Sequence, residues 1–144
     1  MFSKTCEYGI RATIYIASCS KEGKRIRLKD IASKIDSPEA FTAKILQLLA
    51  KNNIIDSVKG PAGGFEISEK KMKSIMLHKI VLAIDGDKIY NGCGLGLHKC
   101  NASKPCPLHN KFELIRDELK SMLTTTSIYT LSEGLSEGLV WLKR

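Results

Sequence analysis

Apolar positions along the first third of the chain repeat at helical spacing. In residues 2–18 they return every three or four positions, which is typical of one buried face of an α-helix. The same repeat over residues 28–35 predicts a second, shorter helix. A third helix is predicted from Pro38 to about residue 51, with Ser37 as its N-cap and Pro38 in its first turn.

The third predicted helix has one apolar and one polar face. Its apolar face, which should pack inward, consists of Phe41, Ile45, Leu48 and Leu49. The remaining positions, free to point outward, are Ser37, Ala40, Lys44, Gln47 and Lys51. Two short helices joined by a tight turn, the second with an outward polar face, are typical of a helix-turn-helix.

A hairpin is predicted directly after the helix pair. Residues 54–58 are rich in β-branched side chains, and residues 65–67 form the returning strand. The tip between them contains Lys59 and the glycines Gly60, Gly63 and Gly64. A glycine-rich backbone can approach a phosphate or enter a groove, so after a helix-turn-helix we interpret the hairpin as a DNA-binding wing.

Two more helices follow the wing. Residues 75–85 are strongly apolar and predict a helix that packs under the wing. Residues 110–123 carry a stripe formed by Phe112, Ile115, Leu119, Met122 and Leu123. This last helix lies beyond the compact winged domain and has no evident core of its own, so we expect its stripe to pack against a second copy of the chain.

The pattern predicts a mainly α-helical protein with a small β-hairpin. We expect a winged helix-turn-helix domain followed by a long C-terminal dimerisation helix. The parts are a DNA-binding domain (1–86), a cysteine-rich loop (87–109), a dimerisation helix (110–127) and a C-terminal tail (128–144).

The cysteine-rich loop contains Cys93, Cys100, Cys106 and His109, spaced C-x6-C-x5-C-x2-H among glycines and prolines. Such a loop has too few apolar residues to order itself, and converging thiolates favour a metal or an iron–sulfur cluster. The same spacing would also suit a zinc site with three cysteines and one histidine. A metal-free sensor that forms disulfides is a third alternative.

Charge and composition narrow the class of protein. The net charge is +8, and residues 1–73 hold 14 lysines and arginines against 8 acidic residues, which suits a polyanion such as double-stranded DNA. No apolar run approaches membrane-spanning length, and the first residues lack the apolar region of a secretion signal. We therefore expect a cytoplasmic protein, and since catalytic motifs are absent from the sequence, a protein that is not an enzyme.

The order of these features resembles the Rrf2 family of winged-helix transcriptional regulators, which includes iron–sulfur and nitric-oxide sensors of the IscR and NsrR types. The residues that carry the resemblance are the wing, reading Lys59-Gly-Pro-Ala-Gly-Gly-Phe65, the helix ending Ala-Ile-Asp-Gly86, and the three cysteines. The resemblance implies a homodimer on an imperfectly palindromic operator, controlled by redox state, nitric oxide or iron–sulfur status.

The resemblance also implies which residues hold the cluster. Cys93, Cys100 and Cys106 match its cysteine ligands. His109 matches the fourth ligand of IscR-like members, whereas Glu7 matches the acidic residue that NsrR-like members donate from the partner subunit. Both residues are present here, so the fourth ligand and the choice between a 2Fe–2S and a 4Fe–4S cluster stay open.

For DNA binding, the resemblance implies that Ser37, Ala40, Phe41 and Lys44 face the major groove and that the wing enters the minor groove. Ala43 stands where IscR-like members have an acidic, site-discriminating residue, so their sequence preference does not carry over. Lys59 matches the basic residue at the wing. The complete predicted DNA-contacting set is Lys29, Ser37, Ala40, Phe41, Lys44, Lys59, Gly60, Gly63 and Gly64.

Overall fold

The computed structural model describes residues 1–143 as a helical domain with one small antiparallel sheet, which confirms the predicted fold class. Within these residues no helix combines the length and apolar character needed to cross a membrane. In chain order the elements are α1 (Lys4–Lys21), α2 (Leu28–Ile35), α3 (Glu39–Lys51), β1 (Asp56–Val58), β2 (Gly64–Glu66), α4 (Glu69–Ser74), α5 (Leu77–Asp85), α6 (Lys88–Asn91), α7 (His109–Thr125) and α8 (Ile128–Ser136).

Helix α1 runs through the centre of the fold. It begins where the Ser3 side chain accepts a hydrogen bond from the backbone N–H of Cys6 at 3.0 Å, an N-cap contact. Cys6 is fully buried, as expected for a small core thiol. Around α1 lie α2, α3, α5 and α8, and their inward side chains form one continuous core.

The turn of the helix-turn-helix differs in detail from the prediction. Helix α2 ends at Asp36, which adopts a left-handed conformation with φ of 56°, and α3 begins at Glu39 with Pro38 in the N-cap position. Ser37 is therefore not the N-cap. Its hydroxyl is buried and has no hydrogen-bond partner among the described residues.

The wing is a short hairpin held against the first helices. Strands β1 and β2 pair with Ser57 opposite Phe65, and Phe65 also pairs with Ile26 on its other side. Ile54 and Ile55, predicted as part of the first strand, are instead buried core residues that precede it. The hairpin is consequently anchored at its base, and its glycine-rich tip projects away from the core.

The apolar segment predicted as one helix over residues 75–85 begins later. Helix α4 ends at Ser74, and Ile75 and Met76 are extended before α5 begins at Leu77. The segment around them pairs with the chain that follows α7. The Leu77 N–H donates to the Thr126 carbonyl at 2.8 Å, and the Ile128 N–H donates to the Ile75 carbonyl at 3.0 Å. The backbone uses these cross-links instead of helical hydrogen bonds, which explains the later start.

Helix α8 lies in the part of the sequence that we described as a tail. It packs along α1 and α4, and Ile128 and Ser132 are fully buried. The Ser127 side chain caps its first turn by accepting from the N–H of Thr130. The sequence did not predict this helix because Gly134 in its interior is a poor helix former, and packing against α1 compensates for this low propensity.

Candidate nucleic-acid interface and cysteine loop

Most of the predicted outward face of α3 is exposed, but Ser37, just before the helix, is half-buried. Ala40, Lys44, Gln47 and Lys51 are all exposed, whereas Thr42, Ile45, Leu46 and Leu49 are buried. Lys29, near the start of α2, is exposed as well. The two helices therefore present a continuous polar and basic surface, which suits contact with a duplex.

Phe41 is half-buried, and its ring packs edge-on against Tyr8 of α1 with centroids 5.7 Å apart. Arg11 lies over the same tyrosine ring, 4.5 Å from its centroid, and donates from Nη1 to the Ile35 carbonyl at 3.1 Å. These contacts fix α3 and the turn before it on α1. Sequence reasoning missed Tyr8 and Arg11, because their partners lie far along the chain.

The glycines at the wing tip have separate structural reasons. Gly60 has φ of 100°, a conformation that favours glycine. A Cβ at Gly63 would overlap the Val58 carbonyl oxygen, and one at Gly64 would lie 2.8 Å from the Ile26 carbonyl oxygen. The wing can therefore fold only with these residues small, and it leaves Lys59 exposed at its tip.

Two arginines that the sequence analysis did not single out brace the wing. Arg27 donates to the Pro61 carbonyl, and Arg25 forms an ion pair with Glu66 at 2.9 Å. Arg25 and Arg27 flank Ile26, whose backbone pairs with β2. The wing is thus tied to the segment that leads into α2. A regular spacing of basic residues before α2 was the only available sequence signal.

The cysteine loop brings its donors together in two groups. The Cys100 sulfur lies 3.3 Å from Nδ1 of His109, which is the first residue of α7 and only 7% exposed. On the other side of that ring, Nε2 is 3.9 Å from the Glu113 carboxylate. The contact with Cys100 orients the ring on one side, and the Glu113 carboxylate on the other side lies beyond hydrogen-bond distance; metal-binding histidines usually have a carboxylate or carbonyl on their second nitrogen.

Cys93 and Cys106 form the second group. The backbone N–H groups of Leu95 and Leu97 donate to the Cys93 sulfur and lower the pKa of this thiol below its usual range, helped by Cys106 and by the nearby Arg116 charge. All three loop cysteines are half-buried free thiols. Over residues 1–143 no three cysteine, histidine or acidic side chains converge tightly enough to hold a single metal ion.

Glu7, the alternative fourth ligand, lies on α1. Its carboxylate forms an ion pair with Lys4 at 2.9 Å, and the Lys4 hydrogen bond lowers the pKa of Glu7. The side chain is 39% exposed. Glu7 is therefore available to a second chain, whereas His109 alone lies beside a loop cysteine of the same chain.

The loop is packed against α7 by two contacts. A Cβ at Gly94 would lie 2.6 Å from the Phe112 ring, so glycine permits this close approach. Arg116, one turn further along α7, donates to the Gly92 carbonyl at 2.7 Å. Sequence analysis assigned Phe112 to the dimerisation stripe and gave Arg116 no role.

Comparison with known proteins assigns the family. The family model described as "Rrf2: Iron-dependent Transcriptional regulator" matches residues 2–134. The chain belongs to the Rrf2 family. Rrf2 proteins are DNA-binding transcriptional regulators, not enzymes, and are typically dimers, so these expectations from the sequence are confirmed at the level of the family.

Three known proteins illustrate what the chain is similar to. A proposed HTH-type transcriptional regulator of Aquifex aeolicus is 32% identical over 133 residues, covering 91% of this chain and 90% of the relative. The regulator IscR of Photorhabdus laumondii is 25% identical over 124 residues, covering 86% and 74%. The structure of CymR, the global cysteine regulator of B. subtilis, has a TM-score of 0.76 at 22% identity, covering 92% and 96%.

Proposed function

We propose that this Rrf2 protein is a homodimeric, cytoplasmic repressor or activator whose affinity for an imperfectly palindromic operator depends on an iron–sulfur cluster. The cluster would be held by Cys93, Cys100 and Cys106, with His109 as the fourth ligand. The observation that supports this most strongly is the contact between the Cys100 sulfur and the buried His109 ring.

The donor set fits an iron–sulfur cluster chemically. Three thiols with half-buried sulfurs and one oriented imidazole are soft or intermediate ligands, and the lowered pKa of Cys93 favours its thiolate form. The loop backbone provides the N–H groups of Leu95 and Leu97 as donors to sulfur. When bound, the cluster would supply reversible one-electron chemistry and reactivity toward oxidants or nitric oxide.

His109 is favoured over Glu7 as the fourth ligand because it lies beside a loop cysteine and because Lys4 would compete with the cluster for Glu7. The His109 ring is already buried against Cys100, whereas the Glu7 carboxylate is engaged by Lys4 and must come from the partner subunit. A nitrogen ligand among thiolates raises the reduction potential and exchanges more easily than a fourth thiolate, which suits a sensor.

The loop is connected to the DNA-binding surface through packed elements. It leaves α5 and returns into α7, and both helices pack on each other. Asp85, the last residue of α5, accepts hydrogen bonds from the backbone and side chain of Ser3, the N-cap of α1. Since α1 in turn contacts α3 through Tyr8 and the end of α2 through Arg11, a change in the loop can alter the placement of the recognition helix.

On DNA, we propose that α3 enters the major groove and the wing approaches the minor groove. Exposed Ala40 and Lys44 would face the bases, and Lys59 would reach the backbone at the wing. The hydroxyl of Ser37 is buried and would not reach the bases, in contrast to the expectation from the sequence. Gly60, Gly63 and Gly64 would shape the wing for this approach, and Lys29 would contact phosphate. Phe41 would support α3 from Tyr8 rather than enter the groove, because half of its ring is already packed.

A second candidate is thiol sensing. The lowered pKa of Cys93 and its interaction with Cys106 favour disulfide formation between these two residues under oxidation. The structural relative named as a cysteine regulator shows that the same fold exists in another regulatory setting. In this case the loop would switch without a cofactor.

The experiment is a visible absorption spectrum of protein purified without oxygen, with iron, acid-labile sulfide and zinc assayed on the same sample. The proposal predicts a coloured protein containing iron and sulfide, and a colourless one after serine replaces Cys93, Cys100 or Cys106. A colourless protein with one zinc per chain would support the zinc alternative. A metal-free protein that cannot be reconstituted would leave thiol sensing.

A further inference from the structure

We propose that Arg116 is the positioning residue of the cysteine loop: it anchors the Cys93 end on α7 and supplies the positive charge that balances the thiolate ligands. This inference rests on the proposed function for its second half. The first half, the anchor, concerns the protein with or without a cluster.

Arg116 is a buried arginine in the middle of α7. Its side chain is only 9% exposed, although the lysines and acidic residues of α7 are all exposed. The guanidinium Nη1 donates to the Gly92 carbonyl at 2.7 Å, immediately before Cys93. A charge-assisted hydrogen bond of this length fixes the backbone from which the first cysteine projects.

The buried charge of Arg116 lacks a carboxylate partner. Glu113 and Asp117 line the same cavity on α7, yet among the described residues neither forms an ion pair with the guanidinium. A buried cation is costly unless an anion compensates for it. The guanidinium binds the Gly92 carbonyl, immediately before Cys93, so the anionic ligands of the loop are the counter-charge that this geometry offers.

One donor of Arg116 is still free. Its Nε is buried and has no hydrogen-bond partner in residues 1–143. Buried donors nearly always have an acceptor. We therefore expect the Nε–H of Arg116 to donate to a group that is present only when the site holds its cluster. Thiolate and sulfide sulfurs are such acceptors, and hydrogen bonds to sulfur adjust the reduction potential of a cluster.

The test compares Arg116→Met, Arg116→Lys and a matched control, Lys120→Met, which removes an exposed positive charge from the same helix and the same cavity wall. Far-UV circular dichroism first establishes that each variant is folded. Hydrogen exchange of the amides in residues 92–97 is then measured on metal-free protein, and the reduction potential and chelator-driven cluster loss are measured on loaded protein.

For the anchor, Arg116→Met should exchange these loop amides about tenfold faster than the unchanged protein, the ratio expected when one hydrogen bond from a charged donor is lost. Lys120→Met should exchange like the unchanged protein. Equal exchange in Arg116→Met and the unchanged protein would overturn the anchor role, whatever the protein's colour.

For the charge, Arg116→Met should shift the reduction potential to more negative values and lose its cluster faster, because the positive charge that favours the reduced, more anionic cluster is gone. Arg116→Lys should recover the potential but not the slow exchange, since lysine keeps the charge without the planar fork. An unshifted potential would overturn the counter-charge role. A colourless unchanged protein would overturn the proposed function and this half of the inference, while slow exchange would preserve the anchor.

Discussion

At the scale of single residues, the proposed chemistry depends on one short contact. His109 begins α7, is buried and lies 3.3 Å from the Cys100 sulfur. His98 provides a comparison, because it is an exposed histidine in the same loop. The two histidines have similar chemistry and differ in burial and in contact with a cysteine.

We predict that His109→Ala will lose its cluster about tenfold faster than the unchanged protein when a chelator is added, since removal of a group that supports a metal site has effects of this size. The decay of visible absorption without oxygen measures it. His98→Ala should behave like the unchanged protein. If the His109→Ala protein retains its cluster and the Glu7→Gln protein loses it, the fourth ligand is Glu7 of the partner subunit.

We predict that Lys59→Ala will weaken DNA binding nearly equally for all sequences. A lysine that contacts phosphate contributes through counterion release, so the slope of log affinity against log salt should fall by about 1. Fluorescence anisotropy at several salt concentrations measures it. Lys111→Ala, an exposed lysine on α7, is the matched control, and an unchanged slope for Lys59→Ala would remove the wing tip from the interface.

At the scale of elements, α8 completes the domain that contains the helix-turn-helix. It covers one side of α1, and its first residue, Ile128, is fully buried while its backbone pairs with Ile75. The C-terminal segment beyond α8 differs, because Leu139 is 67% exposed. The stability of the DNA-binding part therefore depends on residues more than sixty positions beyond the wing.

We predict that Ile128→Ala will lower the free energy of unfolding by about 2–5 kcal/mol, the cost of leaving a cavity in a packed core. Denaturant unfolding followed by circular dichroism measures it. Leu139→Ala, which removes a similar side chain from an exposed site, should change stability by less than about 0.5 kcal/mol. Equal effects of the two substitutions would contradict the packing of α8.

The sequence was sufficient for the helix-turn-helix, the wing and α7, because local periodicity and turn residues define them. The apolar repeat over residues 28–35 already marked the buried side of α2, which consists of Ile31, Ala32 and Ile35. The sequence was insufficient where distant backbone segments meet. Because Ile75 pairs with Ile128, α5 begins later than predicted and α8 begins after Ser127. Likewise, nothing local to Arg116 indicated that its side chain would turn inward toward Gly92.

At the scale of the whole molecule, α7 leaves much of its apolar stripe uncovered. Leu123 is buried within the protomer and Phe112 packs against the loop, whereas Ile115 is 59% exposed and Met122 43% exposed. Rrf2 regulators are typically dimers, and an apolar helix face beside the sensor loop is suited to pairing. In the proposed dimer, one interface would therefore connect the cysteine loops and the recognition helices of both protomers.

We predict that Ile115→Lys will convert the dimer to a folded monomer, because it introduces a charge into the apolar interface without touching the protomer core. Sedimentation velocity measures it. Leu139→Lys adds the same charge at a similarly exposed apolar position outside α7 and should leave the dimer intact. A dimeric Ile115→Lys protein would place the interface elsewhere.

The most direct test of the account is the DNA affinity of the same protein with and without its cluster. Duplexes are selected from a random-sequence library separately by the loaded and the cluster-free protein, and both forms are titrated against both duplexes at one salt concentration without oxygen. The account predicts that at least one duplex is bound about tenfold or more differently by the two forms. Equal affinities for both duplexes would contradict it.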